Sequence, residues 1–329
     1  MTELLPSIRA RSAIVALLFI AVVFFGLTEI GVRIYTHFAL FYDVEMTRYA
    51  NTVKLASANP RLGHIHRPIA AAVLMGVPVR INSIGLRDQE YPLARTASTT
   101  RIAFLGDSLT FGWGVPEEES FATRLERKMS ARRKTEIMNF GVGNYNTDQE
   151  VALFLEKGLA YHPDKVVLFY FINDAEPTPQ KSSWAFLSHS RALTFFWSRA
   201  KTLGSRLWPG QGYAAYYSGL YADGQPGWQV TRRALLELRD ACVKSQMELG
   251  VVLLPELHQL DPYPFAEQHQ KLMSFLAANQ VDAIDLAPLM RNERDPETLW
   301  VALDDAHPNA RAHAKIAQLV ESFVAKGLP

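Results

Sequence analysis

The sequence predicts an α/β fold: a doubly wound parallel sheet of about five strands, preceded by an N-terminal transmembrane helix. Three observations predict it. Short apolar runs alternate with helical stretches from residue 101 to the end, and strands separated by helices pair in parallel through right-handed crossovers. One of those runs, 165–171 (KVVLFYF), is almost continuously apolar, as a strand buried on both faces requires. Finally, residues 13–27 (AIVALLFIAVVFFGL) form an unbroken apolar segment near the N-terminus.

Composition bounds the function classes. With 329 residues, 48% hydrophobic and 20% charged, the chain can bury a sizeable core and is not disordered. The 34 Lys+Arg and 33 Asp+Glu leave a net charge of +1, which argues against an electrostatic nucleic-acid binder. The one cysteine, Cys242, excludes an intrachain disulfide and a Cys-rich metal cluster.

The elements follow in order. A membrane span needs about 20 residues, which 13–32 supplies when Glu29 lies near an interface. Arg9 and Arg11 precede the run, a pattern shared with secretory signal peptides, but no A-x-A cleavage site follows and no cysteine offers a lipid anchor. An uncleaved signal-anchor is therefore expected. Arg33 and Arg48 follow the span, so the positive-inside bias is slight. The charged start favours an inside N-terminus, with nearly all of the protein outside the cytoplasm. We divide the chain into an anchor (1–33), a juxtamembrane lead-in (34–95) and a main domain (96–329). The lead-in is punctuated by Pro60, Gly63, Pro68 and Pro78 and holds one alternating strand at 77–83.

In the main domain, strands are expected at 101–105, 136–140, 165–171, 250–254 and 281–286. Helices are expected at about 119–131, 147–159, 229–247 and 308–324, the last with proline at its start. Ligands of such sheets bind beyond the carboxyl ends of the strands. The first strand runs into Gly106-Asp107-Ser108, the second into Gly141-Val142-Gly143-Asn144, the third into Asn173-Asp174, and Asp304-Asp305-Ala306-His307 precedes the last helix.

Ser108 follows a buried strand in a glycine-containing turn, which exposes a hydroxyl at the sheet rim. A serine becomes a nucleophile beside a base. His307 is the candidate base, with Asp304 three residues earlier to hold its tautomer. Asn173 offers an amide N–H to a developing oxyanion, and Asp107 caps or braces the turn. Taken singly, each of these residues is also an ordinary turn or cap residue. Other motifs are weaker. His64-x-His66 lacks a third metal ligand, Gly141-x-Gly143 lacks the third glycine of a dinucleotide fingerprint, and no G-x-S-x-G elbow surrounds Ser108. No metal and no cofactor are expected. The aromatic run from Trp184 to Trp228 (Phe195, Phe196, Trp197, Trp208, Tyr213, Tyr216, Tyr217, Tyr221) reads as a helical subdomain packed on the sheet, or as a cap over an acyl or sugar cleft.

The ordered blocks FLGDSLTFGWG, NFGVGNYNT, FIND and LDDAHPN resemble those of the SGNH (GDSL) hydrolases, over about residues 100–325. The lead-in INSIGLRDQEYP is similar to that of membrane-anchored bacterial members. The resemblance implies the SGNH hydrolase fold, with Ser108 as nucleophile, His307 as base, Asp304 as its orienting carboxylate and Asn173 as oxyanion donor beside the Ser108 N–H. One position departs from the pattern. Asn144 stands where the family places a glycine that donates to the oxyanion hole, with Gly143 one residue earlier, so either Gly143 or Asn144 supplies that N–H. Asn tolerates positive φ better than most residues.

The expected protein is a single-pass protein of a bacterial inner membrane with a periplasmic ester hydrolase or acyltransferase domain. It would act on O-acetyl or other acyl esters of envelope carbohydrate through an acyl-Ser108 intermediate, with no nucleic-acid partner. The alternatives are a lipid esterase or thioesterase, and a non-catalytic polysaccharide-binding or assembly protein.

Overall fold

The computed structural model describes residues 8–178, 188–207 and 212–328. Its contacts form two compact units, one of the described residues up to Thr47 and those between 182 and 208, the other of the remainder.

The first unit is helical. Helix α1 (Ile8–Phe38) contains the apolar stretch Ser12–Phe38, long and apolar enough to be a candidate membrane span. Helix α2 begins here (Tyr42–Thr52) and continues into the second unit. Far along the chain, α6 (Arg191–Leu207) packs on α1. Glu29 of α1 accepts hydrogen bonds from Ser190 Oγ (2.7 Å), the Arg191 N–H (3.0 Å) and the Ala192 N–H (2.9 Å). A helix start leaves such N–H groups orphaned, so this carboxylate caps α6 from another helix. Phe195 packs its ring against Tyr35 and Phe41.

The second unit holds a five-stranded parallel sheet. In chain order its strands are β5 (Thr100–Gly106), β6 (Thr135–Gly141), β7 (Lys165–Tyr170), β8 (Glu248–Leu253) and β9 (Asp282–Asp285), arranged β6-β5-β7-β8-β9. The doubly wound reading holds, and the first three strands lie within one residue of expectation. Side chains alternate across a strand. Ala103, Leu105, Leu168 and Tyr170 enter one core with Trp228, Leu235 and Leu238 of α8 (Pro226–Lys244) and Leu272 of α9 (Ala266–Ala278). Ile102, Phe104, Val167 and Phe169 enter the other with Leu125 of α4 (Phe121–Ser130) and Ile316 and Val320 of α11 (Ala310–Ala325). Burying one such side chain stabilises the fold by about 1.5–3 kcal/mol, and every residue of β5 and β7 is buried.

The helix expected at 147–159 is shorter as an α-helix: α5 is Thr147–Leu153, and the chain then widens into a π turn over Phe154–Gly158. Pro308 does not start α11. Asn309 caps it, its side chain accepting from the Arg311 and Ala312 N–H groups.

The same unit contains residues 48–95. A hairpin pairs β1 (Lys54–Ala56) with β2 (His64–His66), and a second pairs β3 (Ala71–Leu74) with β4 (Val77–Arg80). A last hairpin, β10 (Trp300–Ala302) with β11 (Asp305–Pro308), lies just before α11.

Candidate active site

Strand β5 ends at Gly106, where a Cβ would lie 2.1 Å from Thr110 Oγ1, so only glycine fits the turn. Asp107 Oδ1 then accepts the Leu109 N–H at 2.8 Å and caps the short helix α3 (Ser108–Phe111). The helix closes at Gly112 with φ 79°, a left-handed conformation that glycine adopts without steric cost. The buried guanidinium of Arg87, from the lead-in block INSIGLRDQEYP, donates to the carbonyls of Phe111, Gly112 and Val115 and so braces the turn after α3.

Ser108 Oγ lies 2.8 Å from His307 Nε2, although 199 positions separate them. On the far side of the ring, Nδ1 donates to Asp305 Oδ1 at 2.5 Å, and the His307 backbone N–H reaches the same oxygen at 3.1 Å. The other oxygen, Oδ2, accepts the indole N–H of the buried Trp113 at 2.8 Å. Burial alone would raise the Asp305 carboxyl. The hydrogen bond and charge of His307, its N–H and the Trp113 indole outweigh that and hold it below its ordinary value.

Asp304 is expected from the sequence to orient His307, but the carboxylate hydrogen-bonded to the imidazole Nδ1 is that of Asp305. The reason is the local period. Asp305 and His307 share a face of β11, two residues apart, whereas Asp304 is exposed in the turn between β10 and β11. A three-residue spacing suits a helix or an open loop, and this segment is a strand.

The loop after β6 lies beside the nucleophile turn, with the Val142 N–H bonded to the Gly106 carbonyl at 3.0 Å. Gly143 is buried, and a Cβ on it would meet the Tyr49 ring at 2.7 Å. Its N–H donates to Tyr49 Oη at 3.0 Å. That N–H is therefore already engaged, which counts against Gly143 as the oxyanion donor. Asn144 is exposed with φ 65°, the conformation that suits asparagine or glycine at this position. Its backbone N–H has no acceptor among the described residues. Asn173 lies in a 3-10 turn, Ile172–Ala175, at the end of β7, half-buried, with its side chain beside the Asp107 carboxylate.

Beneath these loops are the buried carboxyls of Asp107, Glu150 and Asp174. Burial pushes all three up, and their mutual repulsion adds to the rise of Glu150 and Asp174. Both oxygens of Glu150 lack a hydrogen-bond partner among the described residues.

The histidine pair serves packing and positioning. His66 is buried between Tyr49 Oη (2.5 Å) and the Gly85 carbonyl (3.0 Å), and His64 Nε2 lies 3.2 Å from the Gly143 carbonyl. Of the aromatic run, Tyr221 and Trp228 are core residues. Phe195, Phe196 and Trp197 belong to α6 in the other unit, and Tyr213, Tyr216 and Tyr217 lie on α7 (Tyr213–Leu220). Trp184 and Trp208 lie outside the described residues. Sequence reasoning missed Tyr49, Lys54, Arg87 and Trp113. Trp113 and Arg87 fall inside the quoted blocks FLGDSLTFGWG and INSIGLRDQEYP, which was the available signal, whereas nothing local marked Tyr49 or Lys54.

The arrangement is a hydroxyl hydrogen-bonded to an imidazole that a carboxylate orients, which is the layout for nucleophilic attack on a carbonyl. The GDSL-like Lipase/Acylhydrolase family matches residues 104–315. Among curated proteins none matches the chain. Among solved structures the chain is similar to the lipase/acylhydrolase from Enterococcus faecalis, at 15% identity over 70% of this chain and 97% of that one, with a TM-score of 0.45. It is also similar to a two-domain esterase active on acetylated mannans (16% identity, 69% and 49% coverage, TM-score 0.45) and to an acetyl xylan esterase (16%, 69% and 99%, 0.42).

Proposed function

The chain belongs to the GDSL-like lipase/acylhydrolase family, and on that premise we propose that it is a serine-dependent ester hydrolase or acyltransferase working through an acyl-Ser108 intermediate. Ser108 Oγ attacks the ester carbonyl carbon as His307 Nε2 takes its proton. The carbonyl oxygen becomes an oxyanion, held by the backbone N–H groups of Ser108 and Asn144 and by the Asn173 amide. Collapse of this intermediate breaks the bond to the leaving alcohol, which receives the proton from His307. Water or an acceptor hydroxyl then attacks the acyl carbon, again giving its proton to His307, and the acyl–Oγ bond breaks as Ser108 Oγ takes that proton back from His307. Asp305 keeps Nδ1 protonated, so that Nε2 presents a lone pair to Ser108 at the outset. The observation that carries this reading is the continuous chain from Ser108 through His307 to Asp305, at 2.8 and 2.5 Å.

The substrate we favour is an acyl ester of carbohydrate. A row of rings supports it: Tyr213, nearly half exposed, lies 5.6 Å from His258, which lies 4.9 Å from Trp300, opposite Pro308 on the hairpin that carries His307. Aromatic faces of this kind suit the apolar face of a sugar ring. Helix α1, with Arg9 and Arg11 at its start, is read as the anchor that leaves the catalytic unit outside the cytoplasm.

The test uses the full-length protein in detergent. A fluorophosphonate should label wild type and not Ser108→Ala, and a panel of chromogenic esters and O-acetylated oligosaccharides should give turnover that His307→Ala loses by about 10³-fold or more. Labelling that persists in Ser108→Ala would overturn the mechanism. A preference for long acyl chains over acetylated sugars would replace the substrate class with lipid.

A further inference from the structure

The lead-in grips both polar atoms of one residue in the candidate oxyanion loop. The Gly143 N–H goes to Tyr49 Oη. The Gly143 carbonyl accepts from Lys54 Nζ at 2.6 Å and faces His64 Nε2 at 3.2 Å. A trans peptide is planar, so its C=O and the following N–H point in opposite directions. With the Gly143 carbonyl turned toward Lys54 and His64, the Asn144 N–H is turned away from the lead-in. Lys54 Nζ also donates to Asn144 Oδ1 at 2.9 Å, so one ammonium holds the residues on both sides of this peptide bond.

Lys54 is an unusual choice for a buried position. It is 8% exposed, lies over the Tyr49 ring at 4.5 Å, and has no carboxylate partner among the described residues. Burying an unpaired amine is unfavourable, and an apolar residue at this strand position would favour folding more. What the lysine gains is the two loop contacts.

We propose that Lys54, seconded by His64, is a positioning residue for catalysis that sets the Gly143–Asn144 peptide so that the Asn144 N–H serves the oxyanion. The inference rests on the acyl-serine reading above. Burial pulls the Lys54 ammonium down to about 7, yet the neutral amine still carries N–H bonds, so the grip does not depend on the charge.

The experiment compares wild type, Lys54→Met, His64→Leu and Lys157→Met, all full-length. Lys157 bonds the Ile84 carbonyl of the lead-in at 3.1 Å, away from the loop, and controls for general loosening of this segment. Active sites are titrated with the fluorophosphonate, and turnover is expressed per titrated site. Losing an oxyanion donor outright costs about 10²–10³-fold. A donor left in place but no longer aimed should cost less: about 10–100-fold in kcat for Lys54→Met, with KM within two-fold and a matching drop in the phosphonylation rate. His64→Leu should lose several-fold in kcat and Lys157→Met nothing. If Lys54→Met folds poorly, His64→Leu carries the test alone. Unchanged kcat per titrated site in both Lys54→Met and His64→Leu overturns the proposal, as does a loss seen in KM alone. A wild type that neither labels nor turns over would instead sink the acyl-serine reading.

Discussion

Replacing Asp305 with asparagine exchanges one oxygen for an NH2 group, and the surroundings decide which way the amide turns. The Trp113 indole nitrogen is a donor only, is buried, and faces Oδ2 at 2.8 Å. Leaving that donor without an acceptor costs about 1–3 kcal/mol, so the amide oxygen stays on Trp113. The new NH2 group then faces His307 Nδ1 and forces the proton onto Nε2, the atom that must accept from Ser108. In the serine protease template the same wrong tautomer lowers kcat by about 10⁴-fold. We expect a loss of about 10³–10⁴-fold here, equivalent to about 4–5.5 kcal/mol of transition-state stabilisation. Asp304→Asn should stay within about three-fold, as surface substitutions generally do. The logic makes a sharper claim about the double variant. With Trp113→Phe added, only the His307 backbone N–H, 3.1 Å from Oδ1, selects the amide orientation, and it selects the productive one. Asp305→Asn/Trp113→Phe should therefore exceed Asp305→Asn in kcat on a chromogenic acetate ester, measured per folded protein. A double variant no better than the single one refutes the tautomer argument, and an Asp304→Asn more damaging than Asp305→Asn refutes the assignment itself.

Three further predictions come from packing and charge. Gly143→Ala should cost about 1–3 kcal/mol in urea unfolding through overpacking, because its Cβ would press on the Tyr49 ring, and wild-type stability would contradict that contact. His313 is buried, with its Nδ1 accepting the Phe121 N–H, and burial pulls its folded-state pKa down to about 3. The unfolded chain takes up a proton near pH 6.5 that the folded one refuses, so this stabilising difference is complete above about 6.5 and fades as pH falls toward 3. Relative to His313→Phe, wild type should lose about 1.4 kcal/mol per pH unit between about pH 6 and 4; parallel stability curves would show that His313 charges freely in the fold. Glu29→Ala removes the cap of α6, worth about 1 kcal/mol, and should speed amide exchange over residues 191–194 about five-fold while leaving ester turnover alone. Unchanged exchange there would mean that α6 starts without Glu29.

Sequence legibility followed the range of the forces involved. Strands β5, β6 and β7 could be read because burial on both faces leaves almost no polar residue in the run. That Ser108 and His307 meet could be read because a parallel sheet gathers its strand ends at one rim. The sequence favours Asp304 where the structure has Asp305 at the ring, because counting residues between an acid and a histidine says nothing about which of two neighbours faces it. Only the pairing of β10 with β11 settles that. The Gly143–Asn144 loop was readable in its need for positive φ at Asn144 but not in its partners. Tyr49 and Lys54 reach it across about 90 residues, and no local pattern marks a side chain whose purpose is to hold a distant carbonyl.

The Glu29 cap also orders events in time. A growing chain presents residue 29 long before residues 190–192, which lie more than 160 positions later. In the interval its carboxylate, within the apolar stretch Ser12–Phe38, has Arg33 one turn away at 2.7 Å as its neighbour. Synthesis runs at about 5–20 residues per second, so several seconds or more separate the arrival of the acceptor from that of its donors. During that delay α1 exists without the α6 donors that its carboxylate finally accepts from. The Glu29 carboxylate thus acquires its final polar partners only once more than half of the polypeptide has been made.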